Sequence, residues 1–227
     1  MVGKYWSGDD SMDEVIRIEN IKKAFRKQKV LCGISLNCER GKIYGIIGYN
    51  GSGKTVLFKC LCGFLKTDEG KITIRGKELF RDFDMIENAG IIIEEPAFVA
   101  RFSGIRNLEM LYLIRNKKNR GRLEYIMRRV GLDAELKKPV GKYSLGMRQR
   151  LAIAQAIMEE QDILILDEPM NGLDKNGIKD MRELFMELKK EGKTILLASH
   201  NKEDINILCD EVYEMEEGRL VCVKSVH

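Results

Sequence analysis

Apolar residues along the chain fall into three patterns, each marking a different kind of element. Alternation with polar residues runs from Val15 to Ile21, where Ile16, Ile18 and Ile21 keep the period with one slip. It recurs loosely from Leu31 to Leu36 and again at Ile72 and Ile74 around Thr73, ahead of Gly76-Lys77. Such stretches predict short antiparallel strands. Unbroken apolar runs at Ile43 to Ile47, Gly90 to Ile93, Ile163 to Leu166 and Thr194 to Ala198 predict buried strands, the first of them parallel and flanked by the antiparallel ones. Helical spacing predicts helices over Val56 to Leu65, Asn107 to Ile114 and Arg122 to Val130, and over a segment carrying Leu151, Ala154 and Met158 on one face. The basic stretch Arg115 to Arg122 reads as an exposed loop. The middle third, about residues 95–160, is therefore expected to be an α-helical subdomain inserted into a sheet domain. Met1 to Ser11 carry no apolar period and read as a flexible leader, with Met12 as an alternative start and 12–227 as one domain.

The strand Ile43 to Ile47 runs into Gly48-Tyr49-Asn50-Gly51-Ser52-Gly53-Lys54-Thr55, and a helix follows. The spacing of Gly48, Gly53, Lys54 and Thr55 is that of a phosphate-binding loop. Glycines let the backbone wrap closely enough for its amides to point at a polyphosphate, and the helix adds the positive end of its dipole. Lys54 would reach the terminal phosphates, and the Thr55 hydroxyl would ligate magnesium.

Carboxylates gather at a second strand end. Ile163 to Leu166 stops at Asp167-Glu168-Pro169, at the carboxyl end of a buried strand, where open α/β sheets place their ligands. Beside a phosphate loop, Asp167 can hold the magnesium shell while Glu168 orients and deprotonates water. The strand Thr194 to Ala198 ends in Ser199-His200, so His200 is poised to reach the same phosphate. Ser144 is placed to cap a helix in Tyr143-Ser144-Leu145-Gly146-Met147, and that helix start is a second candidate anion site. Phe25 stands among Arg26, Lys27, Gln28 and Lys29, either as a strand-end packing residue or as a platform for a purine ring.

Bulk properties narrow the class. With 39 basic and 35 acidic side chains, net +4, the charge is too even to name nucleic acid or an anionic membrane as the main partner. No window of about 20 apolar residues could span a bilayer, and the acidic N-terminus lacks the regions of a secretory signal. The chain is thus expected to be soluble and cytoplasmic. Its six cysteines form no Cys-x-x-Cys pair, and His200 and His227 are the two histidines on offer. Cys60 and Cys62 read as buried thiols in a reducing compartment.

In this order, from Val15 to Val223, these pieces resemble the nucleotide-binding subunit of ATP-binding cassette (ABC) transporters. The resemblance implies an α/β P-loop NTPase of RecA-like type, with a mostly parallel sheet core, an N-terminal antiparallel β subdomain and an inserted helical subdomain. It implies that Phe25 stacks on adenine and that Gly48, Tyr49, Asn50, Gly51, Ser52, Gly53, Lys54, Thr55 and Val56 hold the phosphates. Tyr143 to Met147 takes the place of the signature sequence, with Ser144 and Gly146 meeting a γ-phosphate. Asp167, with Thr55 and Glu94, falls at the magnesium positions. Glu168, His200, Lys54 and Asp174, the last closing the loop from Asn171, take the catalytic places. ATP and Mg2+ are the implied cofactors. The implied partners are a separate membrane permease, met through the helical subdomain and the Glu94 loop, and a second cassette in a homodimer or heterodimer. That places the chain at the inner face of the cell membrane, held there through the permease.

Four positions depart from the common pattern. The signature reads Tyr-Ser-Leu-Gly-Met instead of Leu-Ser-Gly-Gly-Gln, and Glu94 stands for a glutamine. Both resemble the subgroup that exports antimicrobial peptides or confers bacteriocin and lantibiotic immunity. Tyr49 replaces a common proline, and Val56 a hydroxyl residue. A soluble cassette ATPase not coupled to transport is the alternative, but it calls for a long coiled coil or two cassettes in one chain, and the sequence has neither. A phosphate-loop kinase or GTPase gives no reason for the signature helix.

Overall fold

The computed structural model describes residues 13–95 and 97–225; the leader Met1 to Ser11, Met12, Pro96 and His227 lie outside the described residues. The first alternating stretches form β1 (Glu14–Phe25) and β2 (Gln28–Glu39), joined by a tight turn at Arg26 and Lys27. The slip in the period is a bulge at Asn20, φ +48°, where the register against β2 shifts between Ile18 and Ile21. The extra residue returns Ile21 to the buried face beside Ile16 and Ile18.

Next come β3 (Ile43–Ile47), α1 (Lys54–Leu61), β4 (Glu69–Ile74) and β5 (Lys77–Glu78). Helix α1 stops short of the helical period read to Leu65, because Gly63 N–H turns back to Cys60 O at 3.1 Å. The antiparallel strands do not flank β3. They make a sheet of their own, in the order β2-β1-β4-β5.

The chain continues through β6 (Ala89–Ile92), α2 (Gly104–Tyr112), α3 (Arg120–Arg129), a 3-10 turn (Val140–Lys142), α4 (Leu145–Ile157) and β7 (Ile163–Asp167). It ends with α5 (Lys175–Lys190), β8 (Thr194–Ala198), α6 (Lys202–Leu208), β9 (Glu211–Glu216) and β10 (Arg219–Ser225). The second sheet has six strands in the order β10-β9-β3-β8-β7-β6, parallel from β9 to β6 with β10 antiparallel at the edge.

Side chains alternate across this sheet, so each unbroken apolar run feeds two cores. Ile163 and Ile165 of β7 join Tyr44, Ile46 and the antiparallel sheet, with α1 between. Leu164 and Leu166 face the other way, onto α4, α5 and the helices before them. The thiols of Cys60 and Cys62 are buried in the first core, which pushes them up to about 11 and about 12, so both stay protonated near neutral pH.

Strand β6 and α4 approach so closely that a Cβ on Gly90 would lie 1.9 Å from Ala156 O and 2.6 Å from Leu164 Cδ2. Gly90→Ala is expected to cost about 1–3 kcal/mol through overpacking, read as a lowered urea midpoint with unchanged slope.

Candidate nucleotide-binding and catalytic site

The site is assembled at the carboxyl ends of three adjacent strands, β3, β8 and β7. After Ile47 the chain turns sharply at Gly48, φ +153°. A Cβ there would sit 2.5 Å from Met215 O and 2.8 Å from Ser52 Oγ, so no larger residue fits. The loop closes through Ser52 N–H donating to Tyr49 O at 3.1 Å, and Leu57 N–H then bonds Gly53 O at 2.8 Å. The amides just before Leu57 form the first turn of α1 and have no acceptor inside the helix, which makes that end receptive to an anion.

Lys54 is buried and folds its ammonium over the loop, donating to Gly48 O at 2.7 Å and Tyr49 O at 3.1 Å. Ser52 Oγ is buried inside the loop with no hydrogen-bond partner among the described residues. An orphaned buried hydroxyl is costly, and a ligand oxygen in the loop would satisfy it.

Thr55 Oγ1, in the first turn of α1, donates to Asp167 Oδ2 at the end of β7 across 2.6 Å. One hydroxyl and one carboxylate side by side suit magnesium, which takes few protein ligands and keeps waters and phosphate oxygens for the rest. Glu168 follows with φ +49°, in the left-handed region that a non-glycine residue rarely adopts. Its amide donates to Ala198 O at 2.9 Å, tying it to β8. His200, just beyond β8, brings Nδ1 to 2.9 Å from Glu168 Oε2.

Lys54, Thr55, Asp167 and Glu168 open on a cavity of ≈ 680 Å3, whose wall also includes Asn50 and Val56. Phe25 lies on its rim at the β1–β2 turn, exposed, with Lys23 Nζ 5.7 Å from its ring centroid. A half-covered ring facing a cavity favours the platform reading over packing in a core. The Tyr49 side chain points to solvent, 82% exposed.

The other sequence-derived residues are spread further. Glu94 shares the cavity wall, but its carboxylate is paired with Lys59 Nζ at 2.6 Å. Asp174 caps α5, accepting from Gly177 N–H at 2.8 Å. Ser144 is exposed and caps α4, accepting from Met147 N–H at 3.2 Å. Gly146 lies over the loop at Gly172, where a Cβ would be 3.1 Å from Gly172 O.

A family model described as ABC transporter matches residues 31–171, which takes in the phosphate loop, the start of α4 and the end of β7. The chain belongs to the ABC transporter family. This ABC subunit is 42% identical over 212 residues to an uncharacterized ABC transporter ATP-binding protein of Bacillus subtilis, covering 93% of this chain and 97% of the relative. It is 39% identical to the bacitracin transport ATP-binding protein of Bacillus licheniformis, covering 92% of this chain and 69% of that one. Its fold matches the solved ADP conformation of an ATP-binding cassette at TM-score 0.77 and 27% identity, covering 92% and 89% of the two chains. The ABC subunit is an ATPase, and its ligand is a nucleotide. Among the described residues no helix is long and apolar enough to cross a membrane.

Gln149 and Lys59 also touch the site, and neither stands out in the sequence. Each acts on a partner distant in the chain: Gln149 on Glu168 and Pro169, Lys59 on Glu94.

Proposed function

We propose that this chain supplies ATP hydrolysis to the export of an antimicrobial peptide, or a similar amphipathic cargo, through a separate membrane permease. The observation that carries the hydrolytic part is the convergence of Thr55 with Asp167 at 2.6 Å and of Glu168 with His200 at 2.9 Å beside the phosphate loop. The cargo class is supported by the relative named for bacitracin transport and by the signature Tyr-Ser-Leu-Gly-Met. The same reading holds the chain at the membrane through its permease.

Lys54 and the loop amides hold the β- and γ-phosphates, and Phe25 stacks on the base. Glu168 accepts a proton from water as the water oxygen bonds to the γ-phosphorus, and the bond from phosphorus to the bridging oxygen breaks with its electron pair leaving on ADP. His200 holds the Glu168 carboxylate toward that water. Magnesium, which Thr55 and Asp167 would hold, neutralises phosphate charge when bound. Ser144 and Gly146 open the helix that completes the site of a second cassette, as the family pairing implies.

Glu94 is assigned a sensing role toward magnesium and the permease, since Glu168 already stands at the base position. Glu94→Gln is expected to keep a substantial fraction of permease-stimulated ATPase activity; complete loss in a folded variant would make the Glu94 carboxylate catalytic. The transport reading is tested in inside-out vesicles holding the chain and its permease. ATP-dependent uptake of labelled bacitracin, absent with Glu168→Gln, is the expected result. ATP hydrolysis that drives no uptake of bacitracin or of any lantibiotic offered would overturn the cargo class.

A further inference from the structure

We propose that Gln149 is a positioning residue for hydrolysis, holding the backbone of Glu168 so that its carboxylate meets the attacking water. The proposal rests on the reading of Glu168 as the general base. Glu168 carries two conformational penalties: φ +49° in a residue with a side chain, and a following proline, which disfavours helical backbone in the residue before it. Such a conformation persists only where the surroundings hold it.

The hold comes from two sides. On one, Glu168 N–H donates to Ala198 O at 2.9 Å. On the other, the Gln149 side-chain amide donates from Nε2 to Glu168 O at 3.3 Å and to Pro169 O at 2.9 Å. Pro169 is buried and has no N–H of its own, so Gln149 is what ties this peptide to α4. Asn171 N–H also bonds Glu168 O, at 3.1 Å, closing the turn locally but leaving it unanchored to any helix.

Gln149 lies on the same helix as Ser144 and Gly146, and at the far end of the turn Leu145 packs so tightly on Gly172 that a Cβ there would lie 2.4 Å from its Cδ2. The opening of α4 thus grips the loop from Glu168 to Gly172 at both ends. A nucleotide held at the start of α4 by a second cassette would bear, through Gln149, on the base of this cassette's own site.

The test compares steady-state kcat and KM for ATP, thermal midpoints, and single-turnover rates in purified protein with MgATP. Gln149→Leu, which keeps bulk and loses the donor, is expected to lower kcat roughly tenfold to a hundredfold, the scale on which a small misplacement of a reacting group acts. KM for ATP should stay within about threefold, because no phosphate contact is touched. Gln149→Lys, which keeps an N–H donor of similar reach, should retain clearly more activity. On a Glu168→Gln background, Gln149→Leu should change the residual rate by no more than about twofold, since it acts through a carboxylate already removed. A wild-type kcat in Gln149→Leu, a parallel loss of ATP affinity, no recovery in Gln149→Lys, or a full further loss on the Glu168→Gln background would overturn the proposal. A wild-type rate in Glu168→Gln alone would instead overturn the reading of Glu168 as base.

Discussion

Glu168→Gln is expected to slow ATP hydrolysis at least about a hundredfold, in the range usual for loss of a general base, while ATP still binds. The amide keeps the shape of the carboxylate, and it can still meet His200, whose Nδ1 now lies 2.9 Å from Oε2. It cannot accept a proton from water. On the proposed reading the phosphates are held by other residues, the loop from Gly48 and the ammonium of Lys54, while Thr55, which donates to Asp167, would share magnesium with it. Removing one negative charge that faces a γ-phosphate should also lengthen the life of the ATP-bound state. Rapid-quench measurement of phosphate release beside equilibrium binding of a fluorescent ATP analogue separates the two effects. Equal losses in rate and affinity would place Glu168 in binding instead of chemistry.

Lys54→Ala is expected to lose affinity and activity together. A hydrogen bond to a charged group is worth about 1.5–3 kcal/mol, so ATP binding should weaken by roughly tenfold to about 150-fold. On the proposed reading the ammonium would serve ground and transition states alike, so no gain in one would offset the other. The substitution also frees Gly48 O and Tyr49 O, which Lys54 now holds at 2.7 and 3.1 Å. Circular dichroism distinguishes a weakened loop from an unfolded one. Unchanged ATP binding in the folded variant would remove Lys54 from the site.

Most of the frame was legible because its signals are local. The apolar runs of β3, β6, β7 and β8 are recovered within a residue or two, and the slip in β1 is a bulge that keeps three isoleucines inside. The phosphate loop and the Asp167-Glu168 pair were legible because glycine spacing and a carboxylate at a strand end each have a direct physical cause. Helix α5 carried a readable signal, with Met181, Leu184, Phe185 and Leu188 buried at helical spacing, but no chemistry drew attention to it. Strands β9 and β10 were harder. In β9 the buried residues Val212 and Met215 are three apart among glutamates, and in β10 no residue is fully buried, so neither shows clean alternation.

The contacts that tune the site were not legible at all. Gln149 reaches Glu168, Lys59 reaches Glu94, and His200 reaches Glu168 only because the sheet order puts β8 between β3 and β7. Glu94 illustrates the gap. The family resemblance sets the Glu94 carboxylate at a magnesium position, but pairing with Lys59 offsets its charge in the folded chain.

The reading of this chain as one half of an ATP sandwich is tested most directly by the mass of Glu168→Gln in solution, measured by light scattering on a sizing column with and without ATP. The variant is expected to bind ATP and hydrolyse it slowly, so, if the chain pairs with a second copy of itself, it should run at twice the 26.1 kDa of one chain with ATP and at 26.1 kDa without it. Adding Ser144→Arg, which puts bulk and charge at the exposed start of α4, should return it to the single-chain mass. A Glu168→Gln protein that binds ATP and stays at the single-chain mass, alone and with candidate partner cassettes, would contradict the sandwich.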